Sequence, residues 1–256
     1  METYMQMLGR LAKSASREAA KLGTKAKNRG LLAVANELVE ERELILQENA
    51  KDIEAAKAKG VKQSLIDRLA LTEQRIEDMA EGLRQIAALD DPIGEVLGMK
   101  TRPNGLRIGK KRVPLGVVGV ISPFNFPLYL ALRAVAPALA FGNAVVLKPD
   151  ERTAVCSGYV IARIFELAGL PKRLLHVLPG GAEVGEALTL DKNIASIQFT
   201  GSTNVGRIVG ANAAKTLKKV SLELGGKNSL IILDDADIEL AAENIAWGAF
   251  LHSGQI

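Results

Sequence analysis

Cysteine and histidine are scarce in this sequence, and each scarcity excludes something. One cysteine, Cys156, in 256 residues rules out an intrachain disulfide and points to a reducing compartment, so a cytoplasmic location is expected. Two histidines, His176 and His252, with no Cys/His cluster, give no reason to expect a zinc or iron site. A strong charge bias is also missing. The net charge is +4 and the densest basic cluster, Lys110-Lys111-Arg112, is short, so a solvated surface is preferred to a nucleic-acid partner. The first twenty residues, METYMQMLGRLAKSASREAA, hold no apolar run followed by a cleavage site, which argues against a secretory leader. Residues 114–132 are uncharged and mostly apolar, but Pro114, Pro123, Pro127 and two glycines interrupt them. A buried strand–loop–helix is expected there, not a membrane span.

What is present is an ordinary globular balance, 48% hydrophobic and 24% charged, long enough for one large domain or two small ones. The first hundred residues are helical in texture. ANELVEERELILQENAKDIEAAKAK carries apolar residues at three- and four-residue spacing up to Gly60. Thr72 reads as the N-cap of EQRIEDMAEGLRQIAAL, which stops before Asp90-Asp91-Pro92. Residues 101–114 alternate apolar and basic positions and predict a strand pair or extended arm. From Val113 onward, short Val/Ile/Leu runs alternate with helical patterns. The runs GVVGVI, AVVLK, LLHVL, IASIQF and KVSLEL lack a polar face, as strands buried on both sides do. This predicts an α/β fold with a parallel sheet covered by helices.

In such a sheet, ligands bind beyond the carboxyl ends of the strands. After IASIQF come Thr200, Gly201 and Ser202, then a helix. Gly201 would let backbone approach a pyrophosphate, whose charge the helix start would favour. After AVVL come Lys148, Pro149, Asp150 and Glu151, a cation and a carboxylate able to grip ribose hydroxyls. After KVSL comes Glu223, a candidate general base. After GVVGVI comes Ser122-Pro123-Phe124-Asn125-Phe126-Pro127, where an asparagine between two prolines could donate to an oxyanion. Singly, each has a plain structural reading: a tight turn, a solvated loop, a surface carboxylate, a turn-forming asparagine.

The set is less generic than its parts. ISPFNFP, GNAVVLKPDE, FTGSTNVG and SLELGGKN, from about residue 115 to the end, resemble the aldehyde dehydrogenase superfamily. LRAVAPALAFGNAVVLKPDERT and LHVLPGGAEVGEAL are similar to its benzaldehyde and vanillin dehydrogenase branch. Over about residues 1–120, KNRGLLAVANELVEERELILQENAKDIEAAKAKG, DRLALTEQRIEDMAEGLRQIAALDDPIGEV and RPNGLRIGKKRVPLGVVGVI resemble gamma-glutamyl phosphate reductase instead. The sequence thus reads as a mosaic joined near GVVGVI. Its tail, His252-Ser253-Gly254-Gln255-Ile256, resembles the approach to the family's nucleophile, where cysteine follows directly, so a chain ending just before that cysteine is expected.

The resemblance implies oxidation of an aldehyde, aromatic by branch, to a carboxylic acid through a cysteine thioester. It implies Asn125 as oxyanion donor and Glu223 as general base. Lys148 and Glu151 would hold the adenosine ribose, with Gly180 beside the adenine. Gly201, Ser202 and Gly206 would line the pyrophosphate, and Ile121, Ser122, Pro123, Phe124 and Leu224 would border the rest of the cofactor. NAD is expected in preference to NADP, because Glu151 would face a 2′-phosphate. Residues 1–100 and 114–225 would form the nucleotide-binding domain, 101–113 an oligomerisation arm, and 226–256 the start of a catalytic domain. A homo-oligomer is expected, and no metal. The alternatives are a non-catalytic dinucleotide-binding fragment and an NADPH-dependent gamma-glutamyl phosphate reductase. Cys156 lies after the KPDE loop and is expected to be a small buried hydrophobe, not the nucleophile.

Overall fold

The computed structural model describes residues 3–227 and 229–251. Five helices come first: α1 (Tyr4–Ala19), α2 (Thr24–Glu40), α3 (Arg42–Ala58), α4 (Gln63–Leu69) and α5 (Glu73–Ala88). Thr72 caps α5 as expected, its hydroxyl accepting the Arg75 N–H at 3.2 Å. The long helical run over residues 35–59 is not continuous. It breaks at Glu41, whose φ/ψ of −91°/15° lies outside the helix, and α2 and α3 part there. Apolar spacing cannot reveal that break, because both pieces keep a buried face: Leu31, Val34, Ala35 and Leu38 on α2, Ile45 on α3.

The strand pair expected over 101–114 is an antiparallel hairpin that starts earlier, β1 (Val96–Thr101) with β2 (Arg107–Lys111), and every residue of it is exposed. The sheet follows: β3 (Val117–Ile121), α6 (Tyr129–Ala140), β4 (Ala144–Lys148), α7 (Ile161–Leu167), β5 (Leu175–Val177), α8 (Ala182–Leu190), β6 (Ser196–Thr200), α9 (Thr203–Ala214) and β7 (Lys219–Glu223). Residues 114–132 are indeed strand, turn and helix, and no described helix is long and apolar enough to cross a membrane.

All five strands run parallel in the order β5-β4-β3-β6-β7, so the fold is the helix-covered, Rossmann-like sheet expected. The edge strand β7, expected to be buried on both sides, is instead exposed apart from half-buried Val220, and the other edge strand, β5, is only half-buried. The chain steps one way from β3 to β5, then returns to place β6 on the other side of β3. A crevice therefore opens at the carboxyl ends of β3 and β6, where connections diverge. Helices α6 and α7 pack on the sheet with α2 and α5 behind them, while α1, α8 and α9 contact it and α8 touches both of the others. Core residues such as Val117, Leu147, Ile164, Leu188 and Ile197 are fully buried. A last helix, α10 (Ile238–Phe250), is capped by Asp237 and buries none of its residues.

Candidate functional site

Register decides which side chains meet at the carboxyl edge. Ile121 pairs with Lys148 across β3 and β4, and Thr200 pairs with Glu223 across β6 and β7. The loops are tied to neighbouring strand ends: Ser122 N–H donates to the Lys148 carbonyl at 3.2 Å, Leu178 N–H to Leu147 at 2.8 Å, and Gly201 N–H to Glu223 at 3.0 Å. Every site residue anticipated from the sequence thus follows or ends a strand along this edge, apart from Gly206, which lies in the first turn of α9.

Space or backbone conformation calls for glycine at two of these positions, Gly201 and Gly180, and at a third, Gly206, glycine lets a side chain lie close. A Cβ on Gly201 would sit 2.6 Å from Phe199 Cζ, so the turn from β6 into α9 closes only without one. A Cβ on Gly206 would overlap Leu224, which leans across from the end of β7. Gly180 has φ of +146° and a Cβ there would strike Val184. Ser202 caps α9, accepting from Val205 N–H at 3.4 Å. The twelve-residue α9 therefore presents its amino end, with its free N–H groups and positive dipole, into the crevice.

The loop after β4 is more structured than sequence suggested. Asp150 caps a short 3-10 turn, Glu151–Thr153, and grips Arg152 with two bonds: Nε to Oδ1 at 2.8 Å and Nη2 to Oδ2 at 2.9 Å. Burial acts to raise the Asp150 carboxyl, but Arg152 outweighs it and holds the group below its ordinary range. The guanidinium also lies over the Phe124 ring, 3.8 Å from its centroid. Lys148 is buried along its stem, while Glu151 is exposed.

The turn from β3 into α6 is strained. Phe126 and Leu128, neither a glycine, have φ of +49° and +65°, each costing about 1–3 kcal/mol. Between β3 and this strained stretch stands Asn125, half-buried. Ser122 is buried and its Oγ has no hydrogen-bond partner among the described residues. Glu223 is exposed at the end of β7. The tail motif, residues 252–256, and Asn228 of SLELGGKN lie outside the described residues.

Cys156 is fully buried on a π-helical turn (Val155–Val160) inserted before α7. Burial pushes its thiol well above the ordinary range, and the Asp52 carboxylate beside it pushes the same way. A thiol held protonated and away from the crevice is no nucleophile. Among the described residues, no three His, Cys, Asp or Glu side chains are grouped to hold a metal.

Three features escaped the sequence: the Asp150–Arg152–Phe124 stack, the left-handed pair Phe126 and Leu128, and the π-helical turn. Only the first left a signal, an Asp two residues before an Arg, which suits a local side-chain turn.

Comparison with known proteins agrees with this fold. The chain is 57% identical over 178 residues to a vanillin dehydrogenase of an Amycolatopsis species, covering 69% of this chain and 36% of that protein. It is 39% identical over 243 residues to a gamma-glutamyl phosphate reductase of Moorella thermoacetica, covering 93% and 57%. The structure resembles an NAD-dependent benzaldehyde dehydrogenase from Corynebacterium glutamicum with a TM-score of 0.81 and 37% identity, over 98% of this chain and 52% of that one. The chain thus spans between about a third and somewhat over half of these relatives' lengths. The model of the aldehyde dehydrogenase family matches residues 4–256, so the chain belongs to the aldehyde dehydrogenase family.

Proposed function

We propose that this chain is the cofactor-binding portion of an NAD-dependent aldehyde dehydrogenase that oxidises an aromatic aldehyde to its carboxylic acid through a cysteine thioester. One observation carries the reading: Asn125, Lys148, Gly201 and Glu223, from four separate strand ends, converge on one edge of the sheet at its topological switch. The residues fit a dinucleotide. Gly201 leaves no room for a Cβ, the α9 amino end is open to a pyrophosphate, and the buried Ser122 Oγ lacks a partner among the described residues. Lys148 and Glu151 would hold ribose hydroxyls, Gly180 would border the adenine, Gly201, Ser202 and Gly206 would line the pyrophosphate, and Leu224 would lie beside the nicotinamide. Ile121, Pro123 and Phe124 would form the crevice wall beside them. When bound, the nicotinamide supplies the hydride acceptor for the oxidation.

The chain's own groups would do two further things. The Asn125 amide would donate a hydrogen bond to the substrate oxygen as negative charge develops there. Glu223, exposed at the end of β7, would take a proton from the water that hydrolyses the thioester. The domain division expected from the sequence, with an oligomerisation arm over 101–113 and a catalytic domain from 226, belongs to the same proposal, as do a homo-oligomer and a cytoplasmic location.

A second, reductive reading is favoured by the length of the match to gamma-glutamyl phosphate reductase. An enzyme reducing an acyl phosphate must shield its thioester from water, and a hydrolytic base would work against it. Glu223 and Asn125 favour the oxidative reading. The test is calorimetric titration of the purified 256-residue polypeptide with NAD, together with NADH absorbance in the presence of benzaldehyde. Saturable NAD binding without NADH formation is expected, because the one thiol in this sequence is the buried Cys156. Absence of NAD binding would reject the cofactor reading. NADH production that persists in Cys156→Ser would reject the need for a thiol from outside this sequence.

A further inference from the structure

The turn that carries Asn125 is not self-supporting. Leu128, at φ +65°, opens α6 and is wholly buried, and its N–H has no carbonyl to reach. It donates instead to Ser157 Oγ at 3.3 Å, and that hydroxyl donates in turn to Thr153 Oγ1 at 3.3 Å. Thr153 ends the 3-10 turn that begins at Glu151. Ser157 stands within the π-helical turn, and its neighbour Gly158 explains how that turn comes so close. A Cβ on Gly158 would lie 2.9 Å from Pro149 Cγ and 3.0 Å from Val177 Cγ1, so only glycine lets the turn settle against the ribose-side loop and β5. A π-helical insertion rotates side chains out of the α-helical register, and such insertions recur at functional sites.

Phe126, the other left-handed residue, has its own buried neighbour. Arg68, from the end of α4, is 5% exposed and lies 6.0 Å from the Phe126 ring centroid. Among the described residues its Nε and Nη2 find no hydrogen-bond partner, and the ring lies at the outer limit of cation–π reach from a desolvated cation. Burial accordingly lowers the guanidinium from its ordinary pKa.

We infer that Ser157 and Arg68 are positioning residues for the oxyanion donor: Ser157 fixes Leu128, Arg68 fixes Phe126, and between them they hold the Asn125 amide in a single orientation. Ser157 also joins this turn to the Glu151–Thr153 turn, so the ribose side and the oxyanion side of the crevice share one hydroxyl. The inference rests on the proposed role of Asn125 but is read out without catalysis.

The experiment uses the 256-residue chain labelled with ¹⁵N-asparagine and, for the Leu128 N–H, ¹⁵N-leucine, the Asn125 side-chain amide pair and the Leu128 signal being assigned by their loss in Asn125→Ala and Leu128→Met. Ser157→Ala removes one oxygen and leaves the packing intact. It should move or split the Asn125 pair and speed Leu128 N–H exchange about five- to tenfold, while the buried Asn143 and Asn212 pairs stay put. Arg68→Met should move the same pair, and Arg68→Lys, which keeps a cation near the ring, should move it less. A residue that merely supports the fold would lower the melting temperature and disturb all three pairs alike, or none. An Asn125 pair unmoved in Ser157→Ala overturns the proposal. So does a Leu128 N–H that exchanges in the unaltered chain as fast as an exposed amide, a measurement that needs no variant to fold. NAD titration of the same samples separates the two ideas, since failure to bind NAD rejects the cofactor reading without touching these signals.

Discussion

The five-stranded sheet and α10 are built from similarly apolar sequence and end in opposite environments. In β3 and β4, Val117, Val145, Val146 and Leu147 are fully buried. In α10, Ile238, Trp247 and Phe250 are 68%, 67% and 75% exposed, and Ile231 and Leu233 just before it are exposed too. The difference is not composition but layering. Strands β3 and β4 have helices packed against them, whereas no described element packs extensively over α10. Apolar residues stabilise a fold only when a second layer removes them from water. The crevice edge lies between these two regimes, with Lys148 and Ser122 buried on one side of the switch and Glu223 and Leu224 exposed on the other.

The largest effect expected is on the exposed side. Joined to a cysteine-bearing catalytic segment from a benzaldehyde dehydrogenase, the chain should oxidise benzaldehyde. Glu223→Gln should then lower steady-state turnover by about 10²–10⁴-fold, since glutamine keeps the shape but takes no proton from water. A pre-steady-state burst of NADH should survive. Loss of the burst with turnover unchanged would assign Glu223 a different role.

On the buried side, the expected losses are in stability. Lys27 and Asp91 form an ion pair at 2.5 Å, with side chains 3% and 10% exposed, and Asp91 also accepts from Thr24 Oγ1 and Ile93 N–H. Removing one partner, as in Lys27→Met, should cost about 3–5 kcal/mol, because the other charge stays buried. Burial acts to raise the Asp91 carboxyl, but these three donors outweigh it and its pKa is lowered. The stabilisation is therefore complete above the unfolded carboxylate value and is lost as pH falls through the lower folded one. Urea midpoints at neutral and acid pH check this: the gap between the unaltered chain and Asp91→Asn should close on acidification, and a constant gap would refute it.

How much of this was readable beforehand follows the same layering. Strand ends at Ile121 and Lys148 were readable within a residue, because buried parallel strands leave uninterrupted apolar runs bounded by turn residues, whereas β7 alternates polar and apolar residues and is exposed apart from half-buried Val220. Thr72 was readable because a cap is a local device. The break at Glu41, the early start of β1 at Val96 and the left-handed Phe126 and Leu128 were not. Each depends on partners far along the chain: Leu128 on Ser157, Phe126 on Arg68. The pair Lys27–Asp91 was equally hidden, since both residues look like surface charges in sequence. Motif order named the candidate site residues, whereas the scaffold beneath them was not readable.

The buried and exposed regimes can be set against each other with single truncations. Leu147→Ala, in the middle of the sheet, should cost about 2–5 kcal/mol by loss of contacts and a residual cavity. Trp247→Ala removes a larger side chain from α10 and should change stability by no more than about 0.5 kcal/mol. Chemical denaturation of both variants decides it. A destabilisation by Trp247→Ala comparable to that of Leu147→Ala would mean that α10 is covered in solution.

A smaller loss than that of Leu147→Ala concerns cofactor choice, and it turns on which charges along the KPDE loop are free. Glu151 is exposed three residues after Lys148, where its carboxylate would meet the 2′-phosphate of NADP. Arg152 is the cation that could offset it, but Asp150 holds it by two bonds and the Phe124 ring lies beneath it. Its charge is thus committed locally. Glu151→Gln should narrow the preference for NAD over NADP by about tenfold, or about 1.4 kcal/mol of differential binding. Asp150→Asn should narrow it as well, by releasing Arg152 toward the phosphate, although residue 150 itself is not expected to touch the ribose. Both shifts should shrink at high salt, because these groups are partly solvated and screened. Paired calorimetric titrations with the two nucleotides check this. A preference that is unchanged in Asp150→Asn but altered in Glu151→Gln would place selectivity in Glu151 alone, and one unchanged in both would move it off this loop entirely.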